Sequence, residues 1–163
     1  MGLFGNNTAS RRDQLFDEVI KYLDSQGWKY NIKGTSDSFI EFNMGIKSKL
    51  SGVRVVVLVS DKEIQSMAFA NIKATQDVLG NVIEYITRAN YGLKLGKFEF
   101  DYRDGEVRFQ TCLPCRDGGM PSQADIEHVV DIPILMMQRY GDGLVKNMMG
   151  FGNPAADIEE AEA

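Results

Sequence analysis

The stretch VRVVVLVSDKEIQSMAFAN, residues 53–71, holds two runs of strand-like side chains separated by a short polar break. In the first run valines occupy every second position, and Val56 and Leu58 make intervening positions apolar as well. Successive side chains of a strand point to opposite faces of its sheet. The run therefore predicts a central strand that is apolar on both faces.

The polar break also sets the expected pairing of the two runs. If residues 61–62 form a two-residue loop, the strands pair antiparallel. Counting outward from that loop places Val56 opposite Met67 and Arg54 opposite Phe69. The same count puts Val56, Met67 and Phe69 on one face of the sheet.

Further strands are predicted on both sides of this pair. SFIEFNMGI, residues 38–46, alternates apolar and polar side chains, and residues 28–32 form a shorter alternating run. Farther along the chain, KFEFDY and EVRFQT flank Asp104 and Gly105, a dipeptide suited to the positive φ angles of a type I′ turn. The cross-strand pairs expected from that turn are Tyr102 with Val107, Phe100 with Phe109, Phe98 with Thr111 and Asp101 with Arg108, with Cys112 opposite Lys97.

Three helices are predicted around these strands. The first begins at Ser10, which has the spacing of a helix cap, and ends near Gln26. The second covers residues 75–93, where apolar side chains recur at helical spacing. The third begins at Ser122, and a kink or break is expected near residues 129–133, because Pro133 lacks the backbone N–H that a helix interior needs.

Together these elements predict an α+β fold with an antiparallel sheet of five or six strands and three helices, in the order α-β-β-β-(β)-α-β-β-α. The 163 residues are expected to form one domain over residues 10–150, preceded by a flexible N-terminus over residues 1–9. Residues 151–163 are acidic and short of large apolar side chains, so we expect a disordered tail there.

Charge and hydropathy exclude two classes of partner. The chain has 18 basic and 23 acidic residues, and the basic ones are scattered, whereas a nucleic-acid-binding surface requires a basic patch. No apolar run approaches the about 20 residues that cross a bilayer, and no signal peptide pattern is present. We therefore expect a cytoplasmic protein without nucleic-acid or membrane partners.

The segment ITRANYGLKLGKFEFDYRDGEVRFQ, residues 86–110, resembles the bacterial YbjN family of sensory transduction regulators. The later VVDIPILMMQRYG, with a proline inside a helix and a glycine after it, is similar to that family too. The resemblance covers about residues 10–150. It implies the fold of type III secretion chaperones, frequent homodimers, binding of other polypeptides and no catalytic residues; a cysteine pair after the last strand is not part of it.

The two cysteines, Cys112 and Cys115, leave three interpretations open. They are inert thiols, a redox pair, or half of a metal site shared across a dimer. A structural zinc site takes four ligands, and His128 is the only histidine, so inert thiols are favoured. His128 itself suits a surface histidine better than an acid or base. We predict no metal, no cofactor and no enzymatic activity.

The function predicted from the sequence is a non-enzymatic polypeptide-binding module, chaperone-like or regulatory, with a thiol-dependent redox protein as the alternative. The candidate interface is the apolar face formed by Val56, Leu58, Met67 and Phe69. A single layer of helices covers one sheet face, and soluble monomers rarely expose a large apolar patch. We therefore expect this face to be covered by a second subunit or a protein client, unless helices cover both faces.

Overall fold

The structure is a computed structural model and describes residues 9–163. Of the N-terminus predicted to be flexible, residues 1–8 lie outside the described residues. The helices are α1 (Arg11–Ser25), α2 (Leu79–Asn90), α3 (Gln123–Met148) and α4 (Pro154–Glu162), and a single 3-10 turn over Gln76–Val78 precedes α2. The strands are β1 (Asn31–Lys33), β2 (Phe39–Gly45), β3 (Gly52–Val59), β4 (Glu63–Ala70), β5 (Lys97–Asp101) and β6 (Glu106–Pro114).

The six strands form one antiparallel sheet in the order β1-β2-β3-β4-β6-β5. The predicted α+β class is confirmed, although the helices number four among the described residues and not three. The register of β3 and β4 is also confirmed, with Val56 opposite Met67 and Arg54 opposite Phe69. Loop length was therefore sufficient to place this central pair.

One face of the sheet carries the main core. Val55 and Val57 of β3 are fully buried there, together with Ile126 and Val130 of α3 and Val19 of α1. All the buried apolar residues of the helices belong to this cluster. The opposite face has a separate small cluster made only of strand residues. In residues 9–163 the helices thus cover a single face, and the alternative with helices on both faces is wrong.

The hairpin of β5 and β6 differs from its predicted register by two residues. Phe98 lies opposite Phe109 and Phe100 opposite Val107, because the connecting loop covers residues 102–105 and is longer than the predicted turn. Of the two turn residues, only Gly105 has a positive φ, +77°. A shift of two residues leaves the strand side chains on their predicted faces, since the side-chain period of a strand is two, whereas Tyr102, predicted on the core face, lies in the loop and is exposed.

Helix α3 continues through Pro133 to Met148, so of the kink or break predicted near residues 129–133 the break is absent. A proline in a helix leaves the carbonyl four residues earlier without its N–H partner. Here that carbonyl belongs to Val129, and the hydroxyl of Thr111 in β6 donates a hydrogen bond of 2.6 Å to it. The sheet therefore supplies the donor that the proline lacks, and it fixes α3 against β6 at this point.

The predicted disordered tail is wrong for residues 154–162. These residues form α4, which packs against α2 and α3 and buries Asp157 and Ile158. Asn153 caps the helix, since its side chain accepts a hydrogen bond from the backbone N–H of Ala156. The acidic composition is compensated by basic residues of α3, as described below.

Candidate functional site

Three of the four residues of the predicted interface lie together on the uncovered sheet face. Val56, Met67 and Phe69 form a small cluster, with Phe39 packed against it. These three side chains are only 5–8% exposed, whereas the fourth, Leu58, is 39% exposed. The face is therefore apolar as predicted, but most of its apolar surface is already shielded from water.

Two arginines cover the ring of Phe69 in this cluster. The guanidinium of Arg54 lies 4.2 Å from the ring centre of Phe69, and that of Arg108 lies 5.8 Å from it. Arg54 is also paired with Glu41 at 3.2 Å, and Arg108 with Glu99 at 2.7 Å. Long basic side chains cover apolar surface with their stems while their charged ends stay hydrated. The exposed side of Phe69 is consequently covered by side chains of the same chain.

The carboxylates of these ion pairs are held in their charged form. A hydrogen bond from Lys33 is the main cause of the lowered pKa of Glu41, and Arg54 adds to it. At Glu99 burial acts to raise the pKa, but hydrogen bonds from Arg108 and Lys97 outweigh it, so the pKa is lowered. The lowered pKa values keep the carboxylates of Glu41 and Glu99 charged at neutral pH.

A second surface, which the sequence did not predict, is a cleft of about 340 Å³ between the end of β6 and the first half of α3. Leu113 contributes from β6, Val129 and Ile132 from α3, and Leu95 from the loop before β5. Polar groups at its edge come from Cys112, Thr111, Asp125 and His128. We call this surface the β6–α3 cleft. Leu95 is 55% exposed, and Leu135, one turn beyond Ile132, is 56% exposed.

The β6–α3 cleft lies beside an unpaired length of strand edge. Strand β5 ends its pairing at Lys97, opposite Gln110, whereas β6 continues for four further residues. The backbone groups of Cys115 and of the alternate residues before it face β4, as the bond from Cys115 N–H to the Lys62 carbonyl indicates. The N–H and C=O of Cys112 therefore face the β5 side, where no described residue pairs with them.

The two cysteines are free thiols in the part of the chain described. Cys112 is exposed and lies opposite Gln65 of β4, not opposite Lys97 as predicted. Cys115 is buried. Burial raises the pKa of both thiols, and at Cys112 the nearby carboxylate of Glu63 raises it further. A reactive cysteine requires a lowered pKa, so the surroundings of both thiols disfavour the thiolate.

Among residues 9–163, His128 forms no hydrogen bond with an acidic side chain that could make it a catalytic acid or base. His128 lies exposed at the edge of the β6–α3 cleft, and no hydrogen bond joins it to Glu127 or Asp131. Asp131 instead accepts a hydrogen bond of 2.8 Å from the hydroxyl of Tyr22. Within residues 9–163 no three His, Cys, Asp or Glu side chains are grouped as metal ligands.

These features define the class of the protein. It is an α+β protein in which the helices cover one face of a six-stranded antiparallel sheet, with, next to an apolar cleft, a strand edge that no residue of 9–163 pairs. The chain belongs to the YbjN family, whose model, described as "Putative bacterial sensory transduction regulator", matches residues 15–145. The resemblance found in the sequence is thereby confirmed, and the family description assigns a regulatory role.

No curated protein matches the chain. Among the described residues, no helix combines the length and the apolar character needed to cross a membrane.

Proposed function

We propose that this protein is a non-enzymatic regulatory module of the bacterial cytoplasm that binds an extended segment of another polypeptide at the β6–α3 cleft. The observation that carries the proposal is the unpaired backbone of Cys112 next to an apolar cleft. An extended peptide adds to such an edge by main-chain hydrogen bonds, and side-chain pockets beside the edge provide selectivity. The regulatory role follows the description of the family.

The geometry specifies how the peptide would lie. A peptide residue opposite Cys112 would exchange two backbone hydrogen bonds with it, and its side chain would point to the uncovered sheet face. The residues before and after it would point to the helical side, where Leu113, Val129 and Ile132 line the cleft. We therefore expect a bound segment with apolar side chains two positions apart.

Replacing Cys112 with proline tests this mode of binding. Proline removes the N–H that faces the empty edge but leaves the hydrogen bonds between β6 and β4, which alternate residues make. The probes are decapeptides selected for binding to the wild-type protein from a random phage-displayed library. We expect Cys112→Pro to weaken their binding about 10-fold or more, as measured by fluorescence anisotropy.

The matched control is Cys112→Ala, which removes the same thiol and keeps the N–H. This variant should bind the selected peptides as the wild type does, and amide exchange at residue 112 should slow when peptide is added. Equal binding by the proline variant, or selected peptides without an apolar alternation, would contradict the proposal.

The redox alternative is less favoured. A disulfide-exchanging pair needs a thiolate as the attacking group, and burial raises the pKa of both Cys112 and Cys115. The Cys112→Ala variant also serves here, because a thiol-dependent function would be lost in it.

We further propose that the protein is a homodimer joined through the uncovered sheet face. Leu58 offers exposed apolar area there, and the cluster of Val56, Met67 and Phe69 lies beside it. The flanking charges are already paired within one copy, Glu41 with Arg54 on one side of the cluster and Glu99 with Arg108 on the other. Isologous pairing about a two-fold axis is the commonest way for a second copy to cover such a face.

The change Leu58→Asp should yield a folded monomer, because Leu58 is too exposed to be needed for the fold of one chain. Sedimentation equilibrium measures the association, and circular dichroism the fold. The control is Leu135→Asp, which places the same charge at a similarly exposed leucine of α3. Wild-type protein that stays monomeric at high micromolar concentration would refute the dimer.

A further inference from the structure

The C-terminal helix α4 occupies a groove between α2 and α3. Ile158 is the one large apolar side chain of α4 that is buried, and it joins the main core cluster. Ala161 packs against the same cluster. The apolar attachment of α4 is therefore small in comparison with that of α2 or α3.

Polar contacts hold the helix more specifically. The carboxylate of Asp157, which is buried, accepts hydrogen bonds from Asn147 Nδ2 at 2.9 Å and from Lys146 Nζ at 3.2 Å. It also accepts one from the backbone N–H of Asn153 at 2.8 Å. Lys146 is paired with Glu160 as well.

The charges of the helix and of its groove are complementary. The helix has four acidic residues, Asp157, Glu159, Glu160 and Glu162, and no basic residue. The groove presents Lys146 and Arg139 from α3, and Arg139 Nε donates a hydrogen bond of 3.0 Å to the carbonyl of Ala161. Lys146 contacts two carboxylates at once, which raises its pKa. The groove is thus built to receive an acidic helix.

Three observations indicate that α4 is not an inseparable part of the core. Isolated helices shorter than about 12–15 residues are marginal in water, and α4 has nine residues, so its helical state depends on docking. In addition, the Oδ1 atom of Asn147 is buried without a hydrogen-bond partner in residues 9–163. The groove therefore has a polar atom that α4 leaves unsatisfied. The match to the family model also ends at residue 145, before α4 begins.

We propose that the groove between α2 and α3 is a docking site for a short acidic helix of a partner protein, one that carries an aspartate followed by an aliphatic residue. Helix α4 is the internal competitor for this site. A partner helix would use the contacts that α4 uses, with its aspartate on Asn147 and Lys146 and its aliphatic side chain in the place of Ile158. This site is separate from the β6–α3 cleft and does not depend on it.

The test uses the full chain and a fluorescein-labelled peptide with the sequence NPAADIEEAEA, residues 153–163. The change Ile158→Asp should release α4 without altering a groove residue. We expect this variant to bind the peptide at least 10-fold more tightly than the wild type, because an attached helix competes at a high effective concentration. Adding Lys146→Glu to the variant should remove the binding, whereas Lys94→Glu, outside the groove, should leave it unchanged.

A peptide with asparagine in place of its aspartate should bind the released variant more weakly than the original peptide. If Ile158→Asp does not fold, as judged by circular dichroism, Asp157→Lys replaces it, since it removes the polar contacts and keeps the apolar one. A folded, released variant that binds no peptide would overturn the proposal. So would wild-type dimers formed by exchange of α4, because the occupant would then be a second copy of the chain.

Discussion

Replacing Gly105 with alanine is expected to lower the free energy of unfolding by about 3 kcal/mol, the sum of left-handed backbone strain and steric overlap. Gly105 has a φ of +77°, a conformation that costs an L-residue about 1–2 kcal/mol. A methyl group there would also overlap the backbone of Ala74, whose carbonyl oxygen lies closest to it.

The overlap at Gly105 cannot relax freely, because hydrogen bonds fix both chains. The N–H of Ala74 donates to the carbonyl of Gly105 at 2.9 Å, and the N–H of Gly105 donates to the carbonyl of Asp101 at 2.8 Å. Moving the loop away from Ala74 would break the first bond and strain the second. Urea unfolding followed by circular dichroism measures the effect.

The matched control for Gly105 is Gly27→Ala. Gly27 has a similar φ of +68° after α1, but a methyl group there would meet no atom within 4 Å. This change should cost only the backbone strain, about 1–2 kcal/mol. Equal losses in the free energy of unfolding for the two variants would mean that the close approach of Ala74 to the β5–β6 loop does not contribute to stability.

The same loop shows why part of the sheet could be predicted and part could not. Alternation identified both strands and their buried faces, since it records the side-chain period directly. The exact register depends on how many residues the loop contains. Asp104-Gly105 predicts a loop of two residues, whereas the loop in the structure has four. The contact of Gly105 with Ala74, a residue far away in sequence, leaves no local signal.

The missed helix α4 has a similar origin. Its acidic composition predicts disorder when the segment is considered alone. The compensating groups, Lys146 and Asn147, lie on α3 and look like ordinary surface residues in the sequence. Ordering of α4 therefore results from tertiary pairing, which composition does not report.

The candidate sites also differ in how far the sequence predicts them. Alternation predicts the apolar face around Val56, and the loop count places Arg54 opposite Phe69, so the sequence indicates that an arginine covers this face. The sequence does not predict the β6–α3 cleft, because the cleft arises from a difference in length between β5 and β6. The support of α3 at Pro133 by Thr111 likewise depends on a contact between separate elements.

Replacing Gly143 with alanine is expected to destabilise the protein, whereas the same change at Gly80 is expected to stabilise it. Alanine in a helix is favoured over glycine by up to about 1 kcal/mol, and at Gly80 in α2 a methyl group would meet no atom within 4 Å. At Gly143 in α3 it would lie 2.7 Å from two ring carbons of Tyr85. Overpacking of this kind costs about 1–3 kcal/mol.

The cost at Gly143 should exceed the helical gain because Tyr85 has nowhere to move. Its ring is fully buried, and its hydroxyl donates a hydrogen bond of 2.7 Å to the carbonyl of Tyr140. Displacing the ring would break that bond as well, adding about 1 kcal/mol. Thermal unfolding of the two variants gives the sign in each case, and a stabilised Gly143→Ala would show that α2 and α3 are not in close contact there.

A shift of α3 at Gly143 should also disturb the groove between α2 and α3 that binds α4. The carbonyl of Gly143 accepts a hydrogen bond of 2.9 Å from Asn147 Nδ2, the same group that donates to Asp157 of α4. Moving this turn of α3 therefore moves the group that holds the aspartate. Gly143→Ala should loosen α4, seen as faster amide exchange over residues 154–162, while Gly80→Ala should leave that exchange unchanged. Slow exchange in both variants would show that the docking of α4 does not depend on the packing of α2 against α3.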